Sequence, residues 1–218
     1  MDPNEARRDY ELRGGPEIDV CIATKNKDEL DLEKMNLGIL PIRKIIVSDL
    51  PGRARARTDL IKRVRTKWFL FIDNDIIINE DWWLKIKPFI DSDPVMAKIG
   101  CEPRKIGAVH GFGFPKSRIM KYARLALLKI RGTQNQRGFT SNSLILTKSV
   151  KGITLSDECR FEDIQLQNFV KSKGYEWIFV EDAHFMHMKP SLTVLKEAWG
   201  DFNRLRKEQG FIQAVMKI

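Results

Sequence analysis

Two carboxylates separated by one residue are the sharpest chemical feature of this chain. Asp73 and Asp75 stand in the sequence FIDND, directly after an apolar run at 67–72. Two hard oxygen ligands at a strand end can hold Mg²⁺ or Mn²⁺ while substrate phosphates complete the coordination. The alternative is that Asp-Asn-Asp only makes a turn and caps a helix. The position after an apolar strand favours metal and phosphate binding.

A second acidic pair, Glu162 and Asp163, opens an amphipathic segment at 162–173. Acidic residues at a helix N-terminus are commonly no more than favourable partners of the helix dipole. If a donor site lies nearby, a carboxylate here could act as the base for a sugar acceptor hydroxyl. Both interpretations stay open on spacing alone.

Two histidines lie in the segment DAHFMH near the C-terminus. In a strand, alternation sends His184 to one face and His187 to the other, so the two are not expected to bind one metal together. One of the two histidines could bind a metal together with Asp75. The alternative is that both have a structural or surface role.

The elements that must position these residues alternate along the chain. Apolar runs at 18–24, 42–47 and 67–72 predict strands, and 25–40 and 53–66 predict the helices between them. This order indicates right-handed parallel βαβ units. Polar residues follow each strand, and ligands in such sheets bind beyond the carboxyl ends of the strands. The sequence therefore predicts one polar rim that carries the site.

The alternation loosens in the second half of the chain. Four glycines at 100–114 indicate short strands and turns. The remaining pattern predicts helices at 116–131, 162–173 and 192–210 and strands at 141–147 and 175–180.

Positive charge is concentrated in two blocks. The chain has 38 Lys+Arg against 29 Asp+Glu, a net charge of +9. Nine basic residues against two acidic ones lie at 43–67, and eleven against none at 103–156. Such a face suits phosphates, nucleic acid or an anionic membrane surface. The segment 116–131 is either a core-facing helix with a solvated basic face or a helix that lies on anionic lipid.

Other features bound the class of protein. No run approaches the roughly 18 apolar residues of a membrane span, and the polar N-terminus is no signal peptide. The three cysteines form no CxxC pair, which is typical of reduced thiols in a cytoplasmic protein.

Taken together, these motifs resemble glycosyltransferase family 2, the inverting GT-A enzymes that include polyprenyl-phosphate sugar synthases. CIATKNKDE resembles V-I-I-P-T-Y-N-E, and ARARTDLIKRVRTKWFLFIDNDIIIN resembles the A-R-N…D-x-D block. GFTSNSLILTKSVKGI followed by RFEDIQLQNFVKSKGYE resembles the acceptor half, and HFMHMKPS resembles the late stretch with a metal-binding histidine.

The resemblance implies an α/β fold of the GT-A class, Rossmann-like, with a mostly parallel central sheet flanked by helices. It implies a polar tail at 1–17 and a single catalytic domain at 18–190. That domain would comprise a nucleotide-sugar-binding half at 18–101 and an acceptor half at 102–190. A C-terminal helical segment would follow at 191–218. The chain is then expected to be the soluble portion of a longer, membrane-tethered enzyme.

The resemblance also implies site residues. Asp163 would be the catalytic base and Glu162 would help to position the acceptor. The nucleotide-binding residues would be Ala23, Thr24, Lys25, Asp49, Arg57, Asp73 and Asn74. The metal, Mn²⁺ or Mg²⁺, would be held by Asp73, Asp75 and His187, the last chosen over His184. The acceptor phosphate would be bound by Arg118, Arg131 and Arg137.

The chain departs from the family pattern at the nucleotide end. After the second strand the usual D-D-x-S is Ser48-Asp49-Leu50-Pro51, with one carboxylate only. Lys25 replaces the aromatic residue of T-Y-N, and Lys27 replaces the following glutamate. The Q-x-x-R-W motif of processive synthases is absent, which favours single-sugar transfer.

The sequence therefore predicts a metal-dependent inverting glycosyltransferase at the cytoplasmic face of the membrane. Its donor would be a GDP- or UDP-linked sugar, with GDP-mannose favoured. Its acceptor would be lipid-linked or a polyprenyl phosphate, and no nucleic-acid partner is expected. The alternatives are a nucleic-acid-binding module that uses the basic face and a metal-dependent nucleotidyltransferase.

Overall fold

Three short apolar strands lie side by side and form the first half of the sheet. The computed structural model describes residues 16–28, 30–91, 105–115, 141–156 and 162–188. Strand β1 spans Ile18–Ala23, β2 spans Ile42–Ser48 and β3 spans Trp68–Asp73. β1 lies in the middle and pairs in parallel with both neighbours. The three predicted parallel strands are confirmed, and the burial of β1 on both faces explains why five of its six residues are apolar.

The connection between β2 and β3 is the predicted helix, α1, which spans Arg53–Arg63. It follows the turn Leu50-Pro51-Gly52, where Gly52 has a φ of 94°, a conformation that glycine adopts without strain. The helix packs on β1 and β2 with its buried alanines and Leu60. It therefore runs back from the carboxyl ends of the strands along one face of the sheet.

The predicted helix at 25–40 is wrong for the described residues of that segment. They form turns and one 3-10 helix, Leu37–Ile39. Asn36 has a left-handed φ of 55°, and its side-chain amide donates to the carbonyl of Ile78 (2.8 Å). The side chain of Asp31 accepts from the backbone N–H of Lys34 (3.2 Å). Such side-chain bonds to the backbone offer an alternative to the helical ladder and favour turns.

The second half of the molecule completes a seven-stranded mixed sheet. Its order is β2-β1-β3-β6-β5-β7-β4, with three neighbouring pairs parallel and three antiparallel. The remaining elements are β4 (Ile76–Ile78), α2 (Trp82–Asp91), β5 (Ile106–Pro115), β6 (Asn142–Leu146), a 3-10 helix (Thr147–Ser149), α3 (Glu162–Ser172) and β7 (Glu176–His187). The predicted helices at 116–131 and 192–210 lie outside the described residues.

Three of the four glycines that suggested short strands and turns at 100–114 lie in one strand, β5. A Cβ at Gly111 would lie 2.2 Å from the carbonyl oxygen of Ala183, and one at Gly113 would lie 2.5 Å from the ring of Phe185. The glycines therefore let β7 approach β5 closely, and β7 extends beyond the predicted 175–180 to His187. No helix in the described ranges is long and apolar enough to cross a membrane.

A buried carboxylate joins the start of the sheet to the turn before β3. Asp19 is fully buried and accepts hydrogen bonds from Arg43 (Nε, 2.9 Å) and from the backbone N–H groups of Arg65 (2.7 Å) and Thr66 (3.3 Å). Burial by itself raises the pKa of Asp19, but the bonds from Arg43, Arg65 and Thr66 outweigh it, so the pKa lies below its ordinary value.

We expect the Asp19→Asn substitution to lower the free energy of unfolding by about 2–4 kcal/mol at pH 7, because charged hydrogen bonds are lost. A lowered pKa contributes stability above the unfolded pKa, and this is lost as the pH falls through the folded value. Urea unfolding should therefore show the full loss of stability in Asp19→Asn above about pH 5, and a smaller difference from the wild type below about pH 4. Asp59→Asn, which breaks an exposed pair with Arg63, is the matched control and should change stability little. If the loss of stability in Asp19→Asn does not depend on pH, the charged form of Asp19 is not what stabilises the fold.

Candidate active site

The carboxyl ends of the first three strands meet at one edge of the sheet. Ala23 pairs with both Ser48 and Asp73, and we call the edge marked by these three residues the carboxyl edge. Immediately beyond it, the backbone N–H of Thr24 donates to the carbonyl of Ser48 (3.0 Å) and the Nδ2 of Asn74 donates to the Oγ1 of Thr24 (3.2 Å). The predicted polar rim is therefore confirmed.

The basic residues that depart from the family pattern also lie at this edge. Lys27 forms an ion pair with Asp49 (2.9 Å), and both side chains are about half exposed. The hydrogen bond from Lys27 lowers the pKa of Asp49. Lys25 is exposed beside them. Sequence reasoning missed this pairing, although two lysines facing a lone carboxylate beyond two neighbouring strands were a signal for it.

A buried arginine connects the two acidic motifs. The side chain of Arg57, on α1, is 6% exposed, and its guanidinium donates to Asp73 Oδ1 (Nη2, 3.2 Å) and to Glu162 Oε1 (Nη1). Arg57 and Glu162 are 105 positions apart in the sequence. The fold thus brings the aspartates after β3 and the acidic pair of α3 to one place.

Asp163 follows Glu162 at the start of α3 and is also buried, at 7% exposed. Its Oδ1 accepts from the backbone N–H of Ile164 (2.9 Å), which holds the carboxylate at the helix N-terminus. The segment before α3 is fastened to α1, because the backbone N–H of Leu155 donates to Thr58 Oγ1 (3.2 Å). The helix that carries Arg57 therefore also helps to place the acidic pair.

Pairing of β4 with β7 determines which histidine approaches the aspartates. His187 lies opposite Ile76, and the backbone N–H of the next residue, Met188, donates to the carbonyl of Asp75 (2.7 Å). The rings of His187 and Phe185 are 5.4 Å apart, whereas His184 packs on Phe114 at 4.6 Å. The backbone at His187 is thus beside the turn that contains Asp75.

The donor chemistry at this turn suits Mn²⁺ or Mg²⁺, since it offers two carboxylates and an imidazole. Within the described ranges, however, no three His, Cys, Asp or Glu side chains are gathered into a metal-binding group. One carboxylate oxygen of Asp73 instead accepts a hydrogen bond from Arg57. These residues fit a metal whose coordination is completed by substrate oxygens, and they do not form a closed protein cage.

The predicted site residues therefore fall into two sets. Those that the fold brings to or near the carboxyl edge are Ala23, Thr24, Lys25, Asp49, Arg57, Asp73, Asn74, Asp75, Glu162, Asp163 and His187. The predicted acceptor-phosphate residues Arg118, Arg131 and Arg137 lie outside the described residues.

Two solved glycosyltransferase structures are similar to this fold at low sequence identity. The mannosyltransferase PcManGT from Pyrobaculum calidifontis, in complex with GDP-Man and Mn²⁺, is 14% identical with a TM-score of 0.58, over 98% of this chain and 70% of that one. Glucosyl-3-phosphoglycerate synthase from Mycobacterium tuberculosis, with Mn²⁺, UDP and phosphoglyceric acid, is 15% identical with a TM-score of 0.56, over 100% and 82%. These similarities confirm the predicted GT-A fold.

The sequence comparisons give the family. No match is found among curated protein sequences. The model of glycosyl transferase family 2 matches residues 20–153, more than half of the chain, and this stretch includes most of β1, all of α1 and the Asp73–Asp75 turn. The family assignment favours a glycosyltransferase over a nucleic-acid-binding module or a nucleotidyltransferase. The chain belongs to glycosyl transferase family 2 and is a glycosyltransferase.

Proposed function

We propose that this enzyme transfers one sugar, with inversion, from a nucleotide-diphosphate sugar to a lipid-linked or polyprenyl-phosphate acceptor. GDP-mannose is the favoured donor. The sequence motifs support the acceptor class, and the similarity to a mannosyltransferase in complex with GDP-Man and Mn²⁺ supports the donor. The acceptor would be met at the cytoplasmic face of an anionic membrane.

The observation that carries the proposal is the position of Arg57 between Asp73 and Glu162. A transferase must hold the donor diphosphate and the acceptor in contact. Arg57 joins the turn proposed to bind the donor to the helix proposed to serve the acceptor. The single domain at 18–190 would have its two halves, 18–101 and 102–190, meeting at this arginine.

The donor end would be bound by groups beyond the carboxyl edge. Thr24 and Asn74 are already hydrogen-bonded to each other and would line the nucleotide pocket with Ala23 and Lys25. Asp49 would bind the base or ribose, in competition with its partner Lys27. Arg57 supplies positive charge close to the turn where the diphosphate would lie.

Asp73, Asp75 and His187 would hold the divalent cation. When bound, the cation supplies charge that stabilises the diphosphate as it leaves. Asp75 would be the firmer ligand, as the resemblance to the family implies, while Asp73 also accepts a hydrogen bond from Arg57.

Asp163 would take the proton from an acceptor hydroxyl. As that oxygen bonds to the anomeric carbon, the bond from this carbon to the diphosphate breaks on the opposite face, and the configuration inverts. Glu162 is held by Arg57 and would help to position the acceptor, while Asp163 would be the base, as the resemblance to the family implies. If the acceptor is a phosphate, Asp163 chiefly positions it, and Arg118, Arg131 or Arg137 would bind it.

A thermal-shift screen of nucleotides tests the donor assignment. We expect GDP and GDP-mannose to raise the melting temperature in the presence of Mn²⁺, and EDTA to remove the shift. UDP-glucose, phosphoglycerate and a polyprenyl phosphate are the competing ligands. If only UDP-glucose raises the melting temperature, the enzyme is a glucosyltransferase and the GDP-mannose assignment is wrong. Tight, salt-sensitive binding of DNA without nucleotide binding would contradict the proposed transferase function.

The metal assignment has its own prediction. Asp75→Asn is expected to weaken Mn²⁺-dependent nucleotide binding at least about tenfold, because a charged ligand is lost. Isothermal titration with GDP, with and without Mn²⁺, measures this. Asp81→Asn is the matched control, since Asp81 pairs with Lys85 on α2 (2.7 Å) away from the turn. If both variants bind GDP with equal affinity in the presence of Mn²⁺, Asp75 is not a metal ligand.

A further inference from the structure

A cleft of about 650 Å³ opens at the edge of the sheet opposite the carboxyl edge. Trp68 at the start of β3 pairs with Leu146 at the end of β6 and marks this edge, whereas Asp73 ends β3 at the other. Five residues at about 3.3 Å each separate the two ends of β3, roughly 16 Å. The cleft is therefore distinct from the candidate active site.

The wall of the cleft is cationic. It is formed by the end of α1, the turn before β3 and the segment 146–154. No carboxylate is among its lining residues, and within the described part of the chain none of its five cations forms an ion pair. The cations are Lys62, Arg65, Lys67, Lys148 and Lys151. Grouped cations without acidic partners repel one another, and an anionic ligand relieves this cost.

The remaining lining is mainly apolar, apart from Thr147 and Thr154, and contains no aromatic ring. Ile61, Leu146 and Ile153 provide hydrocarbon beside the cations. A purely polar anion would leave this surface unused. A nucleic-acid strand would need stacking platforms, which this lining lacks. The combination suits a phosphate that carries an apolar chain.

We propose that this cleft binds the phosphate head group of an anionic membrane lipid, with the start of the acyl chain against Ile61, Leu146 and Ile153. Lys62 and Lys151 contact the phosphate from α1 and from the turn at Gly152, whose φ of 86° lets the chain reverse there. This site is separate from the acceptor and does not depend on the proposed donor or sugar.

Binding to vesicles of defined composition tests the proposal. The protein should bind phosphatidylcholine vesicles that contain phosphatidic acid, not pure phosphatidylcholine, and added salt should weaken binding. The double variant Lys62→Gln/Lys151→Gln should bind about 30-fold more weakly, on the basis of roughly 1 kcal/mol per basic residue at an anionic surface. The control Lys34→Gln/Lys44→Gln removes the same charge from exposed positions outside the cleft and should bind nearly as the wild type does. If both double variants lose vesicle binding to the same extent, the cleft is not the lipid-binding site.

Soluble probes separate the possible ligand sources. Monomeric dihexanoyl phosphatidic acid should bind the wild type more tightly than inorganic phosphate and should bind the Lys62→Gln/Lys151→Gln variant weakly. Equal affinity for phosphate and lipid, or displacement of the lipid by single-stranded DNA, would overturn the proposal.

Two further variants distinguish this proposal from the proposed function. Asp75→Asn should keep its vesicle binding even when its Mn²⁺-dependent nucleotide binding is lost. If Arg118→Gln/Arg131→Gln/Arg137→Gln abolishes vesicle binding while the cleft variant retains it, the cleft proposal fails and the membrane surface of the proposed function stands.

Discussion

Asp163→Asn is expected to lower kcat for transfer to a hydroxyl acceptor by about 10²–10⁴-fold, the usual contribution of a general base. The affinity for the nucleotide should change little, because Asp163 opens α3, whereas Thr24 and Asn74 lie beyond the ends of β1 and β3. Asparagine keeps an Oδ1 that can accept from the backbone N–H of Ile164, so the helix N-terminus should be preserved. Single-turnover transfer and isothermal titration measure the two quantities.

The pH profile separates a proton acceptor from a positioning group. If Asp163 takes the proton, the acidic limb of the wild-type profile should vanish in Asp163→Asn. Glu181→Gln, at an exposed position of β7, is the control and should leave both limbs in place. Unchanged transfer to a hydroxyl acceptor by Asp163→Asn would show that the base is another group. A loss confined to hydroxyl acceptors would fit a phosphate as the natural acceptor.

The carboxyl edge could be predicted from the sequence because its signals are local. β1, β2 and β3 are short apolar runs that end in polar residues, and the parallel order follows from the handed connection through α1. Once the three strands lie side by side, Thr24, Ser48 and Asp73 have to meet. The position of the Asp73–Asp75 turn therefore required no tertiary information.

The segment at 25–40 shows where helix start and stop signals gave the wrong prediction. Its acidic residues lie early and Gly38 and Pro41 lie at its end, a pattern typical of a helix. In the structure Asp31 and Asn36 bond to the backbone instead, and Asn36 reaches across to Ile78. These local polar bonds determined the backbone conformation.

The two ion pairs of the site were not predicted, because each joins distant or unexpected partners. Lys27 was recognised only as a departure from a family pattern, although it is the partner of Asp49. Arg57 was assigned to the diphosphate, yet its guanidinium lies between Asp73 and Glu162, two residues from different halves of the chain. The hydrogen bond that fastens Leu155 to Thr58 on α1 helps to bring these two halves together.

The Arg57–Glu162 pair is expected to have the largest effect on stability. Arg57→Met leaves the carboxylate of Glu162 buried without a counter-charge, which should lower the free energy of unfolding by about 3–5 kcal/mol. Glu162→Gln should also destabilise, because it leaves the guanidinium less well compensated. The double variant Arg57→Met/Glu162→Gln removes both charges and should recover most of the loss. Urea unfolding of the four proteins measures the coupling energy.

The same cycle separates a structural from a functional role of Arg57. Because Arg57 also donates to Asp73, the double variant should regain stability without regaining tight Mn²⁺-dependent binding of the nucleotide or transfer activity. The control cycle uses Arg63→Met and Asp59→Asn, an exposed pair on the same helix whose coupling energy should be about 0–0.5 kcal/mol. A similarly small coupling between Arg57 and Glu162 would contradict the buried ion pair. If the double variant recovers transfer activity together with stability, Arg57 has a structural role only. The donor and acceptor motifs would then not need an arginine between them.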